Sequence, residues 1–444
     1  MRLKLQAILL ALVFVFPVLS CTRDDIFTIP DDGQAAEPAS PPAPRTVSAE
    51  NRRVLLMYMS GYNSLSSYLT TNIKELREGF IPGNRRSDNV LLVLSHLNTD
   101  MYGGTAIPML TRLTLPAGRT EIQVDTLATW PAGLSMANAN VFRSVLDFVK
   151  ENFPARSYGM VFSSHATGWL PEGYFGNPSL YGDHQSVYNG SIFAPHKSVG
   201  QEYYNKNGSF LSEEMELDAM VEAIPYHLDY IIFDVCLMGG VEVAYAFKDK
   251  VDWLALSPTE VMAFGFDYTT LARRLIGSDE PDVQGVCEDY FARYDGTNMG
   301  GATVTLVKSS GMDRVAEVCR PLFDKYYDVI RSMENIHTIQ RYDRLMGSEK
   351  TYFIFYDLKD ILASAGATEA ELALLQDALD AALPYVRHTP DFYWGDIVLA
   401  RCCGLSSYLP SRPDGRYQGY AGTPFLDGFY KEHVAWNAAT GFIR

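Results

Sequence analysis

Short apolar runs alternate with stretches of helical period through the first half of the chain. Arg53-Val-Leu-Leu-Met-Tyr-Met59 is the first run, followed by a polar turn at Ser60–Ser64 and a helical pattern from Leu65 to Leu76. Val90–Leu94 is the second run, and a helical stretch from Asn138 to Lys150 leads into the third, Tyr158–Phe162. Leu211–Ile224 reads as a helix, Asp229–Phe233 as a strand, Leu237–Phe247 as a helix and Trp253–Leu256 as a strand. Unbroken apolar runs of this length suit strands buried on both faces. Their alternation with helices predicts an α/β fold: a mainly parallel sheet, right-handed crossovers and helices on both sides.

Residues 171–210 interrupt the rhythm with Gly, Tyr, Asn and Ser and no apolar period. Long irregular stretches inside a domain commonly carry function. Beyond about residue 270 the pattern is mixed. Helices are expected at Asp282–Tyr294, Met312–Met333 and Glu369–Val386, and strands at Thr303–Val307 and Tyr352–Phe355.

The amino terminus has its own logic. Arg2 and Lys4 precede an apolar run from Leu5 to Leu19, too short to span a bilayer comfortably and typical of a signal peptide. The run closes on Val18-Leu19-Ser20-Cys21, which resembles a bacterial lipobox with Cys21 as the lipidated first residue of the mature chain. Residues 22–49 are rich in Pro, Ala, Asp and Glu and have little to bury, as expected of a tether. The expected organisation is a signal peptide over 1–20, lipidated Cys21 and tether over 21–50, a main domain over 51–275 and a smaller C-terminal α/β region over 276–444. The expected location is the bacterial cell envelope, with the membrane as a partner through the lipid.

Composition narrows the partners. Of 444 residues, 47% are hydrophobic and 20% charged, so a large core is available. A net charge of −16 argues against a nucleic-acid partner, which requires clustered Lys and Arg. There are six cysteines, and lipidation of Cys21 would leave an odd number, which flags a reactive thiol. Neither a CxxC pair nor a His/Cys cluster points to zinc.

Two strand ends hold groups suited to chemistry. One reads Val161-Phe-Ser-Ser-His165-Ala-Thr-Gly168-Trp169, the other Ile231-Ile-Phe-Asp234-Val-Cys236-Leu-Met-Gly239-Gly240. Ligands of open α/β sheets bind outside the carboxyl ends of strands. A cysteine at such a place, especially before a helix, is a potential nucleophile, and a nearby histidine can serve as its acid/base. Backbone N–H groups of the small-residue turn near Ala166 and Gly168 could receive an oxyanion. The bland alternatives are a buried structural cysteine and a structural histidine. Seven other histidines compete (His96, His184, His196, His227, His337, His388 and His433), and His96 also ends an apolar strand.

At these segments the sequence resembles the clostripain family of cysteine peptidases, which belongs with the caspases, legumains and gingipains. The family pattern of a strand ending in His-Gly-x-Gly is matched by His165-Ala166-Thr167-Gly168, and its Asp-x-Cys-Leu-Met by Asp234-Val235-Cys236-Leu237-Met238. Tyr58–Leu65 and Ser257-Pro-Thr-Glu260 are similar to two further family segments. The resemblance implies a caspase-like three-layer sandwich and endopeptidase activity. Cys236 would be the nucleophile, His165 the acid/base, and Ala166 with Cys236 the oxyanion hole. Asp234, and more weakly Glu260, would line a pocket for Arg or Lys at P1 (the residue preceding the scissile bond). Asp234 also fits a helix N-cap.

Ala166 stands where the family has Gly, and a positive φ there would be unfavourable for Ala. Self-cleavage between the motifs is common in the family, and Lys197 and Lys206 lie in the irregular segment. No cofactor is expected. Calcium enters by resemblance alone; Asp183 and Glu202 flank the segment, and no loop has calcium-ligand spacing. The alternative function is a non-catalytic surface protein that captures peptide or glycan on the same fold.

Overall fold

The structure is a computed structural model and describes residues 52–83, 88–98, 107–132, 134–174, 198–206, 209–343, 353–411 and 422–444. Cys21, the apolar leader and the tether lie outside the described residues.

The strands are β1 (Arg53–Gly61), β2 (Val90–Leu97), β3 (Met109–Thr114), β4 (Gln123–Thr129), β5 (Ser157–Ser163), β6 (Val199–Lys206), β7 (Ser209–Met215), β8 (Leu228–Asp234), β9 (Val251–Leu256), β10 (Thr303–Lys308), β11 (Phe355–Asp357), β12 (Tyr385–His388), β13 (Asp391–Phe392), β14 (Ile397–Val398) and β15 (Ser406–Tyr408). Nine of them form one sheet in the order β12-β10-β9-β8-β5-β1-β2-β3-β4. The middle of the sheet, β9-β8-β5-β1-β2, is parallel throughout. Antiparallel pairs close both edges, β10 and β12 on one side, β3 and β4 on the other. The C-terminal region therefore contributes β10 and β12 to the same sheet as the motifs.

The central strands are apolar on both faces because both faces are covered. Along β1, Val54, Leu56 and Tyr58 enter one core, while Leu55, Met57 and Met59 enter the other. The second core is roofed by α1 (Ser66–Glu78), α5 (Tyr268–Ile276) and α6 (Val283–Tyr294). The first, larger core takes α2 (Ala139–Asn152), α3 (Leu217–Ala223), α4 (Val241–Ala246), α7 (Met312–Arg331), α8 (Leu358–Ser364), α9 (Glu369–Ala382), α10 (Pro424–His433) and α11 (Ala435–Thr440). This is the three-layer sandwich expected from the pattern.

Local readings differ in four places. Leu211–Ile224 is not one helix: its first part is β7, paired with β6, and α3 begins only at Leu217. Antiparallel pairing with the preceding strand β6 overrides the helical apolar spacing. The helix expected to Val386 stops at Ala382, because Pro384 cannot continue the ladder, and Tyr385 turns into β12. The strand expected at Tyr352–Phe355 is instead β11, at Phe355–Asp357. The helix after Cys236 starts late, at Val241, with Gly240 as its N-cap.

The C-terminal elements dock through a buried carboxylate on α4. Glu242 is fully buried and accepts hydrogen bonds from the Tyr408 N–H at 2.8 Å, the Tyr430 hydroxyl at 2.8 Å and the Ser407 hydroxyl at 3.3 Å. Burial outweighs these donors and raises its pKa from 4.5 to about 7. The folded chain then holds a proton at Glu242 that the unfolded chain releases, so this group's contribution to stability falls as pH rises from about 4.5 to about 7. The slope is up to about 1.4 kcal/mol per pH unit, flat above that window. Glu242→Gln should remove its share of the slope in urea denaturation between pH 5 and 8. Part of the slope will remain with Asp234 and Asp343, whose pKa values are raised in the same direction.

Candidate active site

β5 and β8 are neighbouring parallel strands with Ser163 opposite Asp234. His165 and Cys236 each stand two residues beyond that pair, so their backbones leave the sheet about one strand spacing, ~4.8 Å, apart. Both are half-buried. The two turns are in direct contact: a Cβ on Gly168 would lie 2.7 Å from the Leu237 carbonyl oxygen. Gly168 has φ +66°, and Leu237 on the opposing turn has φ +60°.

The histidine turn is held from the β1 side. Ser64 Oγ lies 2.9 Å from His165 Nε2. Neighbouring Asn63 accepts from the Leu65 N–H at 2.8 Å and donates to the Gln201 carbonyl at 2.6 Å, fixing this turn against β6. β6 in turn pairs with the chain around His165. The Gly200 N–H donates to the His165 carbonyl at 2.9 Å and the Thr167 N–H to the Ser198 carbonyl at 2.8 Å, leaving Ala166 opposite Val199. In this pattern the N–H of the middle residue points away from its partner. The Ala166 N–H is thus turned from β6 towards the β8 side. Ala166 is buried and keeps an ordinary negative φ. The left-handed position of this turn is Gly168, so Ala after the histidine brings no strain.

The cysteine turn is held from the β9 side. The Leu237 N–H donates to the Thr259 carbonyl at 2.9 Å and the Gly239 N–H to the Ser257 carbonyl at 2.8 Å. These bonds continue the ladder past the sheet and explain why α4 is delayed, so Cys236 is not at a helix N-terminus. Its Sγ lies 3.8 Å from the Val261 carbonyl oxygen, and half-buried Glu260 precedes that residue.

Asp234 caps no helix. Its carboxylate is buried and accepts from the Tyr268 hydroxyl at 2.5 Å, while Ser163 Oγ lies 2.8 Å from the same hydroxyl. Burial raises its pKa from 3.8 to about 6, moderated by the bonds from Tyr268 and Ser163. Gly265, at φ +65°, packs so closely that a Cβ there would sit 2.7 Å from an Asp234 carboxylate oxygen. Among the described residues Asp234 forms no ion pair.

Two residues with a clear role carried no such signal in the sequence. Glu202 is almost fully buried and accepts from Ser60 Oγ at 2.9 Å, the Met136 N–H at 2.7 Å and His96 Nδ1 at 2.7 Å. His96, the rival acid/base, is committed to this pair, and its ring stacks on Tyr62 with centroids 4.7 Å apart. The other such residue is Ser64, one polar residue in a polar turn. Glu202 is thus fully engaged, and among the described residues no group of three or more His, Cys, Asp and Glu could hold a metal ion. Asp183 and Lys197 lie outside the described residues; Lys206 ends β6.

With this geometry in hand, comparison with known proteins is informative. The sequence profile of the clostripain family of C11 peptidases matches residues 57–373. The chain belongs to the clostripain family, a family of cysteine endopeptidases. It is similar to clostripain of Hathewaya histolytica, with 23% identity over 256 residues, which span 51% of this chain and 43% of that protein. An inactive zymogen C11 protease from Parabacteroides distasonis is similar in structure, with 26% identity, a TM-score of 0.68, and 89% of this chain and 99% of that one covered. A secreted C11 cysteine protease from Bacteroides thetaiotaomicron, solved in complex with an irreversible peptide inhibitor, shares the fold at 24% identity and a TM-score of 0.64, with 88% and 98% covered.

The Glu202 cluster yields a stability test. Glu202→Leu strands three donors in the interior and should destabilise the protein by about 3 kcal/mol. Glu202→Gln, which keeps shape and acceptor, should lose roughly 1 kcal/mol. Urea denaturation of the two variants measures both.

Proposed function

We propose that this protein cleaves peptide bonds through a thiolate acyl-enzyme formed on Cys236, with His165 as its acid/base and a preference for Arg or Lys at P1. The observation that carries the proposal is the direct packing of the two motif turns at the ends of adjacent parallel strands. Cys236 attacks the scissile carbonyl, and His165 protonates the departing amine. Ser64 Oγ, 2.9 Å from Nε2, holds the ring in place against the β1 turn. The N–H groups of Ala166 and Cys236 receive the oxyanion. Water then attacks the acyl-enzyme, His165 taking its proton, and the free thiol returns.

Asp234 would receive the P1 cation, with Glu260 on the neighbouring loop as a further wall. A buried carboxylate without a resident ion pair is a suitable counter-charge for a guanidinium or ammonium. The substrate is peptide or protein and not nucleic acid, and the lipobox-like segment ending at Cys21 supports a lipid anchor in the cell envelope.

Cys236→Ala should abolish both cleavage and labelling by an acyloxymethyl ketone bearing P1 Arg or Lys, and His165→Ala should lower kcat by at least about 100-fold. A cleavage rate that survives in Cys236→Ala sinks the mechanism. The pKa near 6 at Asp234 sets the sign of a pH effect. Ionised above that pH and neutral below it, Asp234 should give a P1 Arg-over-Leu ratio in kcat/KM that declines as pH falls through 6. In Asp234→Asn the ratio should be low and independent of pH; an undiminished ratio refutes the role. For the anchor, Cys21→Ser should lose metabolic palmitate labelling and leave the membrane fraction, and unchanged labelling removes the lipobox reading.

A further inference from the structure

The loop joining β13 and β14 is built against backbone preference. Tyr393, Trp394 and Gly395 have φ of +53°, +54° and +96° in succession, and only the last is a glycine. Two aromatic side chains in the left-handed region are uncommon, and such outliers persist only where surrounding structure imposes them. Trp394 is also 56% exposed, so packing does not explain its presence at the loop tip.

The loop lies on the same edge of the sheet as the cysteine turn. β12 runs antiparallel to β10, and β10 to β9, so the chain leaving His388 and the chain entering Thr303 both meet the carboxyl end of β9. Contacts carry the path inwards. The Trp394 indole N–H donates to the Asn298 carbonyl at 3.4 Å and the Tyr393 N–H to the Gly300 carbonyl at 2.6 Å. Gly300 packs on Met262, where a Cβ would fall 2.7 Å from the methionine methyl carbon. Met262 follows Val261, whose carbonyl faces Cys236 Sγ at 3.8 Å. Phe264, on the same loop, is 42% exposed. The result is a rim of contacts that starts at the cysteine and ends at Trp394, with Met262, Phe264 and Trp394 as its apolar side chains.

Strand order gives this rim a direction. His165 on β5 and the β9 loop lie on opposite sides of Cys236. The departing amine is protonated by His165 and leaves on its side, so the acyl half of the substrate runs over the β9 loop. From β8 to β12 is three strand spacings, about 14 Å, or about four residues of extended peptide at ~3.3 Å each.

We propose that Trp394, with Met262, forms an apolar subsite for a hydrophobic side chain at about P4 of the substrate, between P3 and P5. The inference rests on the Cys236 peptidase reading. The strained loop holds the indole exposed at the end of this rim, and a bulky aliphatic or aromatic residue upstream of the scissile bond would cover the ring.

The test compares kcat/KM for pentapeptides that share one P1 residue, chosen from a P1 scan, and differ only in Leu, Phe or Gly at P4. A P1-only amide is the control. The full chain should favour Leu or Phe over Gly by about tenfold, mostly through KM. Trp394→Ser should bring that ratio within about twofold and leave the P1-only substrate unchanged, while Trp394→Phe should retain most of the preference. A ratio that persists in Trp394→Ser, or equal losses on the pentapeptides and the P1-only amide, overturns the subsite. Absence of any P4 preference in the unaltered chain, with cleavage abolished by Cys236→Ala, overturns it while leaving the dyad standing. Cleavage that survives in Cys236→Ala overturns the dyad and the subsite with it.

Discussion

The register of β5 against β8 is the constraint on which the site depends. Ser163 opposite Asp234 sets both motif turns at one height. A slip of one residue would move them apart by about 3.3 Å and reverse the face of every side chain on the slipping strand. The two cores make that slip prohibitive. Met160, Phe162, Ile231 and Phe233 fill one core while Val161, Tyr230 and Ile232 fill the other, so neither strand has a solvent face to absorb an error. Gly159 tightens the fit, since a Cβ there would fall on the Tyr230 ring, 1.9 Å from its Cζ. Side-chain packing well away from the thiol thereby decides where the thiol stands.

The turns beyond the sheet are braced from outside it. Trp169, just after Gly168, sits edge-on to Tyr408 and Tyr430, with centroids 5.1 Å and 4.9 Å away. The same two tyrosines bond to Glu242 on the helix that follows the cysteine turn. The Ser406 N–H donates to the Gly239 carbonyl at 2.8 Å, and Phe355 packs against Gly168. One C-terminal cluster therefore contacts both turns, and motion of one against the other must disturb it. On the far side, β6 and Glu202 hold the histidine turn to β1 and β2. The site is enclosed by three segments distant in sequence, which gives it the locked surroundings that positioned groups need.

How much of this was legible beforehand follows from the range of the interactions involved. The strands carrying His165 and Cys236 were legible because burial on both faces writes itself as an unbroken apolar run. The motif residues stood out because a polar group ends each run. Glu202 was named only in connection with calcium: its structural role arises from Ser60, His96 and Met136, each tens of residues away or more, and it sits in a stretch with no periodicity. Ser64 looked like any turn serine. The late start of α4 was hidden because Leu237-Met238 extends the helical spacing back to the cysteine, while the bonds to Thr259 and Ser257 that hold this segment out of the helix come from the chain beyond β9. Nothing local marked Trp394, because the sequence does not reveal three consecutive positive φ angles.

The Ala at position 166 shows why a motif residue is better judged by backbone conformation than by identity. A glycine can be required for its φ, for lack of room, or for neither. Here the left-handed conformation belongs to Gly168, where a Cβ would also collide with the Leu237 carbonyl oxygen. Ala166 instead lies in an extended bridge to Val199, where a Cβ is ordinary and its buried methyl adds to the larger core. The direction of its N–H is set by the two bonds that flank it, which any L-residue could make. Positive φ on the opposing turn falls on Leu237, a residue for which that conformation costs about 1 kcal/mol or more. The Leu237 N–H bond to the Thr259 carbonyl and the packing of the Leu237 carbonyl on Gly168 hold that conformation in place. Backbone strain in this site is therefore carried on the cysteine side, and the substitution that looked like a defect leaves the Ala166 amide where the ladder puts it.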